Sequence, residues 1–301
     1  MKRNAVRTAL LLAAIGAALW LTGCQVKINE ETSGLSEFSY ADVENYSVGA
    51  AELSETVEHI EIHWLVGNVT VTPHKSHTVS FSEESLGALT NDMQLHYWLD
   101  GTTLHIKFCR GGKWRLDEME KDLTVLVPEE LHLASLMVKS LSADIHLDTL
   151  QAESADISTN SGDVELTDGT VTDIVQVDTT SGWLDVSLAQ PLEAFTWSTV
   201  SGTLQVSAPT IQNFSASSVS GSVGLSAEEA PESLAIKTIS GNIDLALPED
   251  ASFTLDYAST SGELSTDIPC QTDAGQYTFG DGKGEYVIHT VSGDVGITVA
   301  Q

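Results

Sequence analysis

The chain has 301 residues, with 43 acidic against 13 basic and a formal net charge of −30. A surface this anionic excludes nucleic acid as a partner, because phosphate binding needs Lys and Arg. It also repels anionic polymers and headgroups unless cations intervene.

The N-terminus carries Lys2, Arg3 and Arg7, then an apolar run from Ala9 to Leu21. That run is shorter than the ~20 residues needed to cross a bilayer. A basic start, a short apolar stretch and small residues at its end describe an export leader. The end, Leu21-Thr22-Gly23-Cys24, resembles the lipobox of bacterial lipoproteins. The resemblance implies cleavage after residue 23 and acylation of Cys24. Two or more acyl chains would then hold the protein stably on a membrane. The expected organisation is a leader at 1–23, a lipidated Cys24 with a flexible tether to residue 45, and a folded domain from 46 to 301. The tether reading rests on the scarcity of large apolar residues between 25 and 55. The expected location is the cell membrane, on its extracytoplasmic face.

Residues 46–139 read as lead-in strands. His59 to Val71 alternates polar and apolar, and His59 and His63, flanking Ile60 and Ile62, are expected to face solvent. Leu95 to Phe108 reads as a hairpin around Asp100-Gly101. Leu123 to Val127 is a strand stopped by Pro128. His74 and His77 make a weak metal pair, and no Cys pair stands near any His at zinc spacing. No metal or cofactor is expected.

From residue 140 the chain repeats. Ser-Gly recurs at Ser161, Ser181, Ser201, Ser220, Ser240, Ser261 and Ser292, with degenerate copies at Ser142-Ala143 and, fainter, Val66-Gly67. The spacing is about 20 residues, except for a longer last interval. A hydroxyl residue lies two before each Ser, from Ser140 to Thr290, and a branched aliphatic lies three after it, from Ile145 to Val295. Alternation at period two marks strands with one buried face. Gly at the centre supplies either a positive φ or room for close backbone approach. A unit of this size cannot bury its own apolar face, but stacked copies can. The expected fold is therefore all-β: a single-stranded parallel β-solenoid, right-handed, with hairpin-like caps. Gln276 to Tyr286, around Gly280-Asp281-Gly282, is the second hairpin signal. The residue before each Ser is often apolar (Val200, Val219, Ile239, Val291), which leaves either a bulge or packing elsewhere. Cys109 and Cys270 fall several coils apart, too far to bridge at ~4.8 Å per coil.

The Ser-Gly coils, the Leu123–Pro128 strand and the segment Gly280-Asp281-Gly282 to Thr290-Val291-Ser292-Gly293-Asp294 resemble a bacterial family of unknown function. So does Tyr46-Ser47-Val48-Gly49 with the strand after it. That family is usually labelled adhesin-like. The resemblance spans roughly residues 46–301 and implies a β-solenoid at the cell surface. It supplies no catalytic residues. Some of its members sit beside envelope-stress regulators, which implies a structural or signalling accessory that binds a membrane protein as the alternative to an adhesion module.

A serine hydrolase needs a base and an orienting acid beside its nucleophile. Here Ser recurs at every corner for structural reasons, and no Gly-x-Ser-x-Gly elbow occurs. Cleavage of acidic polysaccharide needs cations, yet after Lys139 the basic residues are Lys237 and Lys283. The sharpest candidate site is the outward face after the corners. Asp144, Asp163 and Trp183 should form one column, with His146, Glu165 and Asp185 in the next. Such carboxylates could hold a cation, act as a glycosidase pair, or simply be a solvated acidic face. Trp183 could stack on a sugar. The expected partners are the membrane, through Cys24, and an unknown protein or glycan. No enzymatic activity is expected.

Overall fold

The structure, a computed structural model, describes residues 24–28, 36–116, 119–273 and 275–300. The leader expected at 1–23 lies outside the described residues. The described chain is all-β and forms a solenoid whose sheet is open at both ends.

Each coil brings one strand into the Ser-Gly corner and a second strand out of it. The incoming strands pair in parallel from coil to coil, as in Gln151–Ser161 with Val164–Leu188, and Leu192–Ser198 with Ile211–Ser218. The outgoing strands do the same, with Ser181-Gly182 opposite Ser201-Gly202 and Leu184 opposite Leu204. The aliphatic column predicted three residues after each Ser is the core. Ile145, Val164, Leu184, Leu204, Val223, Ile243 and Val295 are all 2% exposed or less. Each such burial contributes about 1.5–3 kcal/mol.

The corner explains the glycines. A Cβ on Gly221 would run into the carbonyl oxygen of Gly202, one on Gly241 into that of Gly221, and one on Gly293 into that of Gly241. Close approach of stacked backbones is thus the general requirement. Positive φ applies at Gly67, Gly162 and Gly182 among the corner glycines. At several corners the hydroxyl two residues before the Ser closes the turn, whereas the buried Thr159 and Thr238 hydroxyls have no partner among the described residues. Ser218 Oγ accepts the Gly221 N–H at 2.5 Å, Ser259 Oγ that of Gly262 at 2.7 Å, and Thr290 Oγ1 that of Gly293 at 2.9 Å. Thr179 and Thr199 join hydroxyl to hydroxyl at 2.9 Å between coils.

Chain order and stacking order diverge at both ends. The strand His59–His74 is already a full coil, paired along its length with Leu133–Asp148, so Val66-Gly67 lies opposite Ser142-Ala143. Its other side is covered by the later strands Thr103–Lys107 and Lys121–Pro128. The C-terminus repeats the device. Gly284–His289 pairs with Ser233–Thr238 on one side and Phe253–Ala258 on the other, and Val295–Val299 lies between Ile243–Leu247 and Leu264–Thr266. The last coil in sequence is therefore inserted before the last coil in space. The hairpin predicted around Gly280-Asp281-Gly282 does not form. Gln276–Phe279 pairs antiparallel with Phe253–Ala258 instead, because that strand otherwise presents an open edge. The hairpin at Asp100-Gly101 forms as predicted.

Two features of the N-terminal end depart from the sequence reading. Residues 24–45, expected as a tether, carry the strands Cys24–Ile28 and Ser36–Tyr40, which build a small antiparallel sheet with Gly112–Trp114. Phe38 is buried there, and the Tyr40 ring lies over the Lys107 ammonium. His63, expected at the surface, is 4% exposed. It sits between Lys107 and Lys139 on neighbouring strands, with no hydrogen-bond partner at either ring nitrogen among the described residues. Burial above all, then the two lysines, pulls its pKa down to about 3, so the ring is neutral. Lys121 is also buried. Its ammonium donates to Glu83 at 2.5 Å, to the Met93 carbonyl at 2.6 Å and to the Phe108 carbonyl, under the rings of Trp64 and Phe108. Cys109 and Cys270 are unbridged, and burial pushes the Cys109 thiol up to about 12.

Candidate functional site

The outward positions just past each Gly form the predicted column. Asp144 Oδ1 accepts the backbone N–H of Asp163 at 2.9 Å, and Asp163 Oδ1 accepts that of Trp183 at 2.7 Å. The same bond recurs near both ends of the solenoid. Asp122 accepts from Asn68, Asn242 from Asp294, and Asp294 from Glu263. Short acidic and amide side chains at this position thus tie one coil to the next. Asp144 and Asp163 are engaged as backbone acceptors, which is the structural role for an outward carboxylate at a strand start.

The next column differs. His146 Nδ1 and Glu165 Oε2 are 3.2 Å apart, both about half-exposed, and Thr167 donates to the other Glu165 oxygen at 3.4 Å. An ion pair that open to water is worth little. Asp185 follows on the coil above, opposite Gln205. Among the described residues, no group of three or more His, Cys, Asp and Glu is placed to hold a metal ion. The structure therefore brings the six predicted residues onto one face but divides them. Asp144 and Asp163 staple coils, His146 and Glu165 pair in solvent, and Trp183 stands out at 50% exposure.

The neighbourhood of Trp183 was only half legible from sequence. An open hollow of about 510 Å³ lies beside its indole, lined by Gly182, Ser201, Gly202, Thr203 and Ser220. The apolar residues before each Ser point outward. Val200 and Val291 are 40% and 43% exposed, and Val219 and Ile239 are half-buried. Backbone bonds link them in order, since Ser220 N–H donates to the Val200 carbonyl, Ser240 to Val219, and Ser292 to Ile239. A larger hollow of about 820 Å³ opens among the return loops, lined by Glu228, Glu229, Glu232, Asp250 and Glu285 with Lys283. Its acidic wall disfavours anions.

The model of the Toastrack DUF4097 family matches residues 57–298. The chain belongs to this family. Among solved structures it is similar to a "putative adhesin" from Bacteroides fragilis, at 13% identity over 83% of this chain and 97% of that one, with a TM-score of 0.49. It is also similar to a "putative lipid binding protein" from Parabacteroides distasonis, at 14% identity over 83% and 96%, with a TM-score of 0.46. No curated protein matches it. Among the described residues no helix is long and apolar enough to cross a membrane.

Proposed function

Taking the chain as a Toastrack protein, we propose that it is a non-enzymatic binding module, held by lipid at Cys24 on the extracytoplasmic face of the cell membrane. The observation that carries the binding reading is the division of the candidate face. Asp144 and Asp163 staple coils and Glu165 pairs in water, while the face's one exposed large aromatic, Trp183, sits beside an open hollow. The strongly shifted titratable groups, His63, Cys109 and Tyr286, are buried in the scaffold rather than gathered in a cleft, whereas catalytic sites cluster such groups where substrate can reach. The anchor reading rests on Leu21-Thr22-Gly23-Cys24.

Two assays test the proposal. Growth with a clickable palmitate analogue should label the full chain in envelopes and leave Cys24→Ser unlabelled. The soluble Cys24→Ser chain from residue 24 should bind isolated envelopes saturably. Equal labelling of both chains would remove the anchor, and absence of saturable binding would remove the module. Capture of one membrane protein in place of a glycan would select the accessory role.

A further inference from the structure

We propose that the Ser-Gly corner between Trp183 and Asn242 is a binding strip for an uncharged glycan chain lying along the solenoid axis. The inference rests on the binding-module reading above and names its ligand class.

Three outward columns meet at this corner. Before the Ser stand Thr180, Val200, Val219 and Ile239. The serines themselves are Ser181, Ser201, Ser220 and Ser240. After the Gly stand Trp183, Thr203, Ser222 and Asn242. None of the twelve is charged, in a chain with 43 acidic residues. The third column turns acidic on both sides of the strip, with Asp144 and Asp163 before it and Asp294 and Glu263 after it. A polyanion would meet carboxylates at both ends of the strip. A polycation would find no carboxylate among the twelve, the nearest being Asp163, Asp185 and Asp244 at the border of the strip. The strip therefore suits a neutral ligand.

Its chemistry is mixed in the way a sugar is mixed. Val200, Val219 and Ile239 make a ridge one side chain wide, flanked on one side by the exposed hydroxyls of Ser201, Ser220 and Ser240. The Trp183 indole, 50% exposed beside its hollow, offers a flat apolar face and an N–H donor. A pyranose presents C–H faces to such a ring and hydroxyls to its surroundings. Four coils at ~4.8 Å each make a ladder whose step is close to the rise of one unit in an extended β-linked glycan.

The closing experiment uses the Cys24→Ser chain from residue 24, with Trp183→Ala and Thr203→Asp. Both positions are exposed, so neither change disturbs the core. Calorimetric titration with cellohexaose, chitohexaose and mannohexaose should give saturable binding to at least one. Each variant should weaken it about tenfold or more, equal to about 1.4 kcal/mol. Glycan binding unchanged in both variants would overturn this strip and leave the binding module standing. No binding of any of the three at millimolar concentration would also overturn it. Only the loss of envelope binding as well would bring down the module.

Discussion

Asp163 and Trp183 are joined across two coils, the carboxylate of one accepting the backbone N–H of the other at 2.7 Å. Asp163, one of the acids that the sequence offered for a cation or glycan, thus holds the backbone from which the exposed indole projects. Asp163→Ala should lower stability by about 1 kcal/mol, the worth of one such bond, and Asp163→Asn should restore most of it, since Asn242 does the same work. Urea unfolding of the three chains measures the difference. If the site instead needed a charge there, Asn would fail along with Ala.

Backbone crowding at the corners gives the sharpest stability contrast. Gly221→Ala forces a methyl group into the Gly202 carbonyl, whereas a methyl at Gly87 meets nothing. The first should cost at least about 2 kcal/mol, as overpacking does. Gly87→Ala should be near neutral. Thermal unfolding of both variants checks the pair, and equal midpoints would contradict the stacking geometry.

Burial of His63 predicts an acid-sensitive fold. Unfolded, the ring takes a proton near pH 6.5; folded, it does so only near 3. Between those values the unfolded chain holds the extra proton, so stability must fall as pH drops. The slope from this residue is about 1.4 kcal/mol per pH unit. His63→Leu should flatten the curve in that window, as read by urea midpoints from pH 7 to 4. An unchanged slope would mean the ring is solvated.

Insertion of the last coil predicts an exchange order that runs against the sequence. Amides of Gly284–His289 are paired on both sides and should exchange as slowly as those of the central coils. Leu264–Thr266, paired with Val295–Val299 at the outer edge and with Leu264 only partly buried, should exchange first. Hydrogen exchange followed by mass spectrometry resolves the two segments.

The repeat was readable because most coils write the same hydroxyl, Ser-Gly and aliphatic positions, and even the degenerate Val66-Gly67 takes its place in the stack. The order of the terminal coils was not, because all coils carry the same pattern and local sequence does not say which neighbours will pair. The outward Val200 ridge stayed open because period-two alternation breaks at the corner. His63 was misplaced because its surroundings come from other strands, with Tyr40 over the adjacent Lys107 drawn from a segment that composition reads as a tether. Trp183 stood out as an isolated aromatic in an outward column, but the uncharged strip that starts at it emerged only once the columns were aligned.

The most direct test of the central claim is a calorimetric titration of neutral hexasaccharides into the Cys24→Ser chain, followed by chromatography of the sugar recovered from the cell. Binding without chemistry predicts saturable heat, lost with Trp183→Ala, and a hexasaccharide recovered uncut. Shortened products that disappear in Glu165→Gln would contradict it and make the acidic face catalytic. A flat titration with all three sugars would contradict the glycan strip.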